Sequence, residues 1–191
     1  ERAYRPLVSS RKPGLEQIRL YIPEQGLIAL SNDLPSHIKD WQGAHMVYPN
    51  GGLERVRVRY RGDNPDNWAY GKKSWRIKLR KKRMIGGARI FNYLFSELQN
   101  MVPQYAAFTI AKAAGILAPR ARLIELFIND KPQGIYIEVE QMDESFLRKN
   151  KIMPVNLYKG EQYNAERFLY VNNHLFDNPA LWSKTSEFNQ L

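Results

Sequence analysis

Residues 53–61 read LERVRVRYR and residues 72–80 read KKSWRIKLR, and these two stretches decide the fold. In each of them apolar residues alternate with Arg or Lys, a period of two that predicts a β-strand with one apolar and one cationic face. The residues between them, 62–67, read GDNPDN and are dense in turn-forming types. The sequence therefore predicts two paired strands that share an apolar core and carry their charges on one face.

The unbalanced charge of the whole chain falls in the same region. Of the 29 basic and 19 acidic residues, 13 and three lie in residues 53–89, which leaves 16 of each elsewhere. Cations on the polar side of a strand are often an ordinary solvated face that protects an edge. Neighbouring like charges repel, however, unless an anion or an acidic partner offsets them. The cluster therefore predicts an anionic ligand or partner.

Length and composition set the broad class. A chain of 191 residues with 43% hydrophobic and 25% charged residues fits one globular domain or a large part of one. The absence of cysteine excludes a disulfide framework and a thiolate site. No apolar run approaches a membrane span, and no signal peptide occurs. The chain opens Glu-Arg-Ala without methionine, so we expect a processed or partial chain from bacterial cytoplasm or an exported protein, with the compartment left open.

Further elements follow from periodicity and from turn residues. The strands beyond the cationic pair are predicted at residues 18–22, 44–48, 123–128, 135–139 and 155–159. The helices are predicted at residues 27–34, 91–98, 103–115 and 143–147, the third of them Ala-rich and buried. This order predicts an α+β fold with a mainly antiparallel sheet and helices packed on it.

Three sets of motifs carry a resemblance to a known family. They are VRYRG at 58–62 with KKSWRIK at 72–78; AGILAP at 114–119 with LFIN at 126–129 and GIY at 134–136; and EVEQMDESFL at 138–147 with LYKG at 157–160. In this order and spacing the motifs resemble the CotH family of atypical kinases, named for the spore-coat protein H of endospore-forming bacteria.

The resemblance implies the N-terminal, ATP-binding portion of an atypical kinase, a transferase that phosphorylates a protein or another acceptor. It implies a kinase-like small lobe whose basic strand and loop lie over nucleotide phosphates, with residues 138–143 as the hinge beside the base. The nucleotide contacts that it implies are Arg61, Lys72, Lys73, Arg76, Lys78 and Glu140. The charge pattern agrees with this, because enzymes surround transferred phosphates with Lys, Arg and Mg²⁺.

The family's metal-binding and catalytic acids belong to motifs of the types asparagine-x-aspartate and proline-tryptophan-aspartate. Neither motif occurs after Gly160. The resemblance therefore implies ATP and Mg²⁺ as cofactors, with no catalytic or metal-binding residue in this chain. It also implies a division into an extended arm at 1–17, a lobe with its hinge at 18–164 and the start of a missing C-terminal lobe at 165–191. On this reading the fragment is inactive alone.

Two other functions stay open. The first is a non-enzymatic module that binds a polyanion, either nucleic acid or an acidic polymer, through the cationic strands with Trp68, Tyr70 and Trp75 nearby. Nucleic acid is the less favoured partner, because no nucleic-acid motif occurs. The second is a pseudokinase scaffold that binds nucleotide without transfer. The apolar load of residues 165–191 also predicts self-association through that segment or an apolar surface there.

Glu138 and Glu140 lie two residues apart on one strand face and suggest an acid/base pair. We prefer the alternative that they belong to a strand edge that runs into the hinge. The three histidines, His37, His45 and His174, are too scattered along the chain to indicate a metal site.

Overall fold

The computed structural model describes residues 14–32, 34, 40–49, 51–62, 67–68, 71–95, 101–153, 157–160 and 182–186. The chain divides into two compact units, Glu1–Gln141 and Met142–Leu191. The predicted boundaries at 17 and 164 stay a prediction. No helix among the described residues is long and apolar enough to cross a membrane.

The first unit is a closed barrel of seven strands. Its elements in chain order are β1 (Glu16–Tyr21), α1 (Glu24–Ser31), β2 (Gln42–Val47), β3 (Leu53–Tyr60), β4 (Trp75–Leu79), β5 (Ile90–Leu94), α2 (Met101–Ala113), β6 (Ala121–Ile128) and β7 (Lys131–Glu140). The strand order around the barrel is β1-β2-β3-β4-β5-β7-β6. The contact of β1 with β6 is parallel and closes the barrel, and the other strand pairs are antiparallel.

Two tight turns set the register of the hairpins. Asn129 and Asp130 join β6 to β7 and both have positive φ, 49° and 64°, which is the requirement of a type I′ turn. The side chain of Asn129 also accepts a hydrogen bond from the Ile22 backbone N–H at 2.8 Å. Between β2 and β3, Gly51 has φ +79° and its N–H donates to the Tyr48 carbonyl at 2.8 Å. Both predicted hairpins are confirmed.

The barrel interior is the hydrophobic core. The inward residues of β3 and β4 are almost fully buried, and with Leu126 and Ile128 of β6 they belong to one cluster. The members from β3 and β4 are Val56, Val58, Tyr60, Trp75, Ile77 and Leu79. The predicted pairing of these strands, their apolar faces and their shared core are therefore confirmed.

The predicted α+β fold, a mainly antiparallel sheet with packed helices that resembles a kinase-like small lobe, is wrong. The sheet closes on itself, and residues 91–94 of the helix expected at 91–98 belong to β5, which pairs with both β4 and β7. Local periodicity cannot show closure, because the parallel contact joins β1 to β6 across more than 100 residues. Nor is α2 buried: Val102 and Ile110 are 70% and 67% exposed. The helix meets the barrel chiefly through Tyr105 and Phe108.

The second unit contains α3 (Glu144–Lys149) and a two-stranded antiparallel sheet of β8 (Leu157–Gly160) and β9 (Trp182–Ser186). Asp143 caps α3 as predicted, since its carboxylate accepts hydrogen bonds from the backbone N–H groups of Ser145 and Phe146. The predicted strand at 155–159 is confirmed in part as β8. The predicted self-association or apolar surface of residues 165–191 lies outside the described residues, except for the backbone of β9.

Candidate functional site

The outer surface of β3 and β4 carries a block of cations. Arg57 lies directly opposite Lys78, and Arg59 directly opposite Arg76. Their strand neighbours Val56, Val58, Ile77 and Leu79 point into the core, so the four cations lie on the outside of the barrel. We call these four residues the outer cationic face. Like charges opposite each other in a sheet repel, and an anion bound on this surface would offset part of that repulsion.

Trp41 lies beside the outer cationic face, just before β2. The guanidinium carbon of Arg59 lies 5.0 Å from the centre of the Trp41 ring, and the Lys78 ammonium lies 5.6 Å from it. Both distances are within the range of cation–π attraction, which is worth about 0.5–1 kcal/mol at exposed sites. Trp41 was not predicted. Continuing the β2–β3 register by one residue from Gln42↔Val58 would have placed it opposite Arg59.

A chain of side-chain hydrogen bonds links the outer cationic face to the residue that follows β7. Arg76 Nε donates to Asn92 Oδ1 at 2.8 Å, and Asn92 Nδ2 donates to Gln141 Oε1 at 3.1 Å. The Gln141 backbone N–H donates in turn to the Ile90 carbonyl at 2.9 Å. Asn92 is 4% exposed, so the chain fixes the orientation of the Arg76 guanidinium. Asn92 was missed because its strand was interpreted as a helix.

Lys72 and Lys73 lie apart from Arg76 and Lys78, in the segment that enters β4. The Lys72 ammonium donates to the Ile135 carbonyl at 2.9 Å and lies 3.8 Å from the centre of the Phe95 ring. The Lys73 ammonium donates to the Trp68 carbonyl at 2.7 Å, and burial lowers its pKa. Both lysines therefore contact residues at the end of the barrel where β4 begins, and neither contact belongs to the outer cationic face.

Glu140 is 4% exposed, and its Oε1 accepts a hydrogen bond from the Arg120 backbone N–H at 2.9 Å. It is in phase along β7 with Tyr136, a member of the barrel core. The Arg61 backbone N–H donates to the Ser74 carbonyl at 3.0 Å, which continues the β3–β4 ladder by one residue. Of the six predicted residues, Arg76 and Lys78 thus share one surface. The nucleotide contacts of all six stay a prediction.

Glu138 is the centre of a buried polar cluster at the other end of the barrel. It is 1% exposed, and it accepts hydrogen bonds from Arg122 Nε at 2.7 Å and from the Tyr48 hydroxyl at 3.2 Å. Arg122 also pairs with Glu16. Burial and the neighbouring Glu138 carboxylate raise the pKa of Tyr48 to about 12. These contacts favour a structural role for Glu138 over an acid/base pair. β7 pairs with both β5 and β6, so Glu138 does not lie at the strand edge expected from the sequence.

The signal for this cluster was present in the sequence. Arg122 is in phase with Ile124, Leu126 and Ile128, and Glu138 is in phase with Tyr136. A charge at an apolar position of a strand indicates a buried partner. Register then pairs the two charges, because Arg122 lies opposite Glu138 in the β6–β7 ladder.

Three aromatic residues, Trp68, Tyr70 and Trp75, were predicted to lie near the cations. Trp75 and Trp68 are buried, at 4% and 8% exposure, so neither offers a ring face on the surface. Tyr70 lies outside the described residues. Within the described part of the chain, no group of three or more His, Asp or Glu residues is placed to hold a metal ion.

Comparison with known proteins supports the resemblance seen in the motifs. A family profile described as CotH kinase protein matches residues 58–187, which is more than half of the chain. Inner spore coat protein H of Bacillus subtilis (strain 168) is 27% identical over 99 residues. That alignment covers 51% of this chain and 26% of the spore coat protein, so the chain matches about a quarter of its relative's length. The chain belongs to the CotH kinase protein family.

Proposed function

We propose that this chain supplies the nucleotide-binding portion of a CotH-type kinase, which transfers the terminal phosphoryl group of ATP to a protein or another acceptor. The observation that carries the proposal is the outer cationic face, where Arg57, Arg59, Arg76 and Lys78 oppose one another in cross-strand pairs beside Trp41. Family membership supports it. The phosphates of ATP are the ligand whose charge best offsets such a cluster.

The cations have the chemistry that phosphate binding needs. A guanidinium presents a planar fork of N–H donors that matches two phosphate oxygens at once, and an ammonium acts as a point charge. Arg76 is held by Asn92, so less conformational entropy is lost when it binds an anion. We therefore assign the phosphates to Arg59, Arg76 and Lys78.

The base of the nucleotide is assigned to the residue after β7. Asn92 connects Arg76 to Gln141 through two hydrogen bonds of 2.8 and 3.1 Å. A ligand that reaches from the guanidinium to this amide would place its phosphates and its base on the same outer surface. The Gln141 side chain carries both a donor and an acceptor, which suits a nucleobase edge.

Magnesium does not fit the described residues. It prefers six oxygen ligands, commonly including one or two carboxylates with substrate phosphates. The outer cationic face consists of cations, with an amide and an indole ring beside it, and the described residues offer no group of three or more acids or histidines placed to hold a metal ion. We derive no catalytic step through the metal, and we assign no catalytic residue to this chain.

The test is a titration of the 191-residue chain with ATP, using charge-removing variants. Arg76→Gln and Lys78→Met each remove one charge-assisted phosphate contact, so we expect each to weaken binding about tenfold or more. Lys112→Gln is the matched control, because it removes an exposed charge near the end of α2. Unchanged affinity in Arg76→Gln and Lys78→Met, with the fold intact, would contradict the assignment.

A second function is favoured by the cations that surround this face. Arg55, Arg80, Lys81 and Lys82 are all exposed, and they add positive charge beyond the four residues of the outer cationic face. The second candidate is therefore a non-enzymatic module that binds a polyanion. Polyphosphate binding with a steep salt dependence and no saturable ATP binding would favour it. Saturable ATP binding without transfer in the longest available chain would instead favour a pseudokinase scaffold.

A further inference from the structure

A cavity of about 240 Å³ opens at the end of the barrel interior where Leu27 of α1 approaches. Aromatic side chains from β3 and β4 line it, together with polar side chains from the segment that enters β4 and from the β6–β7 hairpin. These aromatic and polar lining residues are Tyr60, Trp75, Lys73, Asn129, Lys131 and Gln133. Barrel mouths are recurrent ligand sites. The volume is below the roughly 300–1,000 Å³ of sites for drug-sized ligands, so the occupant is small.

The aromatic wall of the cavity is rigid. The rings of Tyr60 and Trp75 pack edge to face with centres 4.8 Å apart and planes at 64°. Both residues are almost fully buried, at 3% and 4% exposure. The Tyr60 hydroxyl lies 3.2 Å from the Ser31 hydroxyl, which fixes the outer end of its ring. These contacts hold both rings in place, so this part of the cavity is preformed and no side chain has to be ordered there on binding.

The polar part of the cavity is cationic. Among the described residues, two lysines and two amides line it, and no described lining residue is acidic. The Lys73 ammonium lies 5.2 Å from the centre of the Tyr60 ring and donates to the Trp68 carbonyl. Because burial lowers the pKa of Lys73, an anion beside it would stabilise the charged form. The lining therefore selects for negative charge next to an apolar body.

We propose that this cavity binds a small organic anion, with its carboxylate or phosphate group on Lys73 and its apolar body inside the cavity. The volume corresponds to about eight water molecules at their liquid density, which suits a single substituted ring. The site is separate from the outer cationic face. Lys73 and Trp75 line the barrel interior, whereas Arg76 and Lys78 lie on the opposite side of the sheet.

The experiment titrates the 191-residue chain by calorimetry with benzoate, phenyl phosphate and benzamide, and follows the Trp75 ring signals by NMR. We expect saturable binding of at least one anion with a shift of the Trp75 signals. The neutral benzamide should bind at least about tenfold more weakly, because it lacks the charge-assisted contact. The preference between carboxylate and phosphate then identifies the anionic group.

Two variants assign the binding to this cavity. Lys73→Met should weaken anion binding at least about tenfold, whereas Lys72→Met should not, because Lys72 contacts Ile135 and Phe95 outside the cavity lining. Gly71→Leu should narrow the cavity without unfolding the chain, since a Cβ at Gly71 meets no atom within 4 Å and its φ is not positive. We expect this variant to lose anion binding.

Several outcomes would overturn the proposal. They are the absence of saturable binding by both anions, equal affinity for benzamide, equal losses in Lys72→Met and Lys73→Met, and undiminished binding in Gly71→Leu. Direct competition between ATP and the anion would show that the cavity is not a separate site. Failure of ATP binding alone would leave this inference intact, because the two sites lie on opposite sides of the sheet.

Discussion

Removing Arg122 should destabilise the barrel more than removing the charge of its partner Glu138. Glu138 is 1% exposed and Arg122 is 25% exposed, and they meet at 2.7 Å. In Arg122→Met the Glu138 carboxylate stays buried with the Tyr48 hydroxyl as a donor and Arg120 at 3.9 Å. Breaking a buried pair in this way costs roughly 3–5 kcal/mol. Because those two groups compensate in part, we expect the lower end, about 3 kcal/mol.

Glu138→Gln is the milder change, because the charge that it leaves without its partner is that of Arg122, which is less buried than Glu138. Arg122 is partly solvated and still pairs with Glu16. We therefore expect a loss of about 1–2 kcal/mol, the cost of a weakened buried hydrogen bond. The double variant should lose less than the two single variants together, because both members of one pair are then gone.

Urea unfolding followed by tryptophan fluorescence measures these losses as shifts of the midpoint at constant slope. Arg83→Gln is the control, since Arg83 pairs with Glu54 at an exposed position, and we expect its midpoint to stay at the wild-type value. A loss below about 1 kcal/mol in Arg122→Met would refute the reasoning. A larger loss in Glu138→Gln than in Arg122→Met would do so as well.

Three further results are expected. Because the pKa of Tyr48 is raised to about 12, the unfolded chain releases the Tyr48 hydroxyl proton near pH 10 and the native chain releases it only at higher pH. The free energy of unfolding should therefore fall as the pH rises from about 10 to about 12. The fall should be less steep in Tyr48→Phe, by at most about 1.4 kcal/mol per pH unit. Equal slopes in the wild type and in Tyr48→Phe would contradict this. Ile110→Lys should change the unfolding free energy by less than about 0.5 kcal/mol, whereas Phe108→Ala should cost about 1 kcal/mol or more. A larger loss of unfolding free energy in Ile110→Lys than in Phe108→Ala, measured by urea unfolding, would mean that α2 is buried. Gly62→Ala should cost about 1 kcal/mol or more by the same assay, because Gly62 has φ +108° and a Cβ there lies 2.6 Å from the Asn67 side chain; an unchanged midpoint would contradict it.

Strand periodicity predicted the parts of the fold that depend on local pattern. The alternation around Trp75 and Val58 identified β3 and β4, their core faces and their cations. Closure of the barrel depends instead on the parallel pairing of Ile18 with Leu126, which no local pattern encodes. The helix expected from Phe91 failed because β5 is buried on both faces and shows no alternation.

The candidate site was predicted in part, and strand phase explains the difference. Arg76 and Lys78 alternate with core residues and therefore lie on the outer surface. Lys73 is two residues before Trp75, so the same period places it on the inner side, where it lines the cavity. Glu140 follows Tyr136 by four residues and likewise lies on the inner face of β7. Family motifs grouped these residues by closeness in sequence, whereas the sheet separates them by face.

Nucleotide binding at the outer cationic face is tested most directly by NMR with an isotope-labelled chain titrated with ATP. The account predicts saturable shifts of the Trp41 indole N–H and the Asn92 side-chain amide, which lie beside Arg59 and Arg76. The same titration of Arg76→Gln should require at least about tenfold more ATP. Saturable shifts confined to the Trp75 indole, with Trp41 and Asn92 unmoved, would contradict the account.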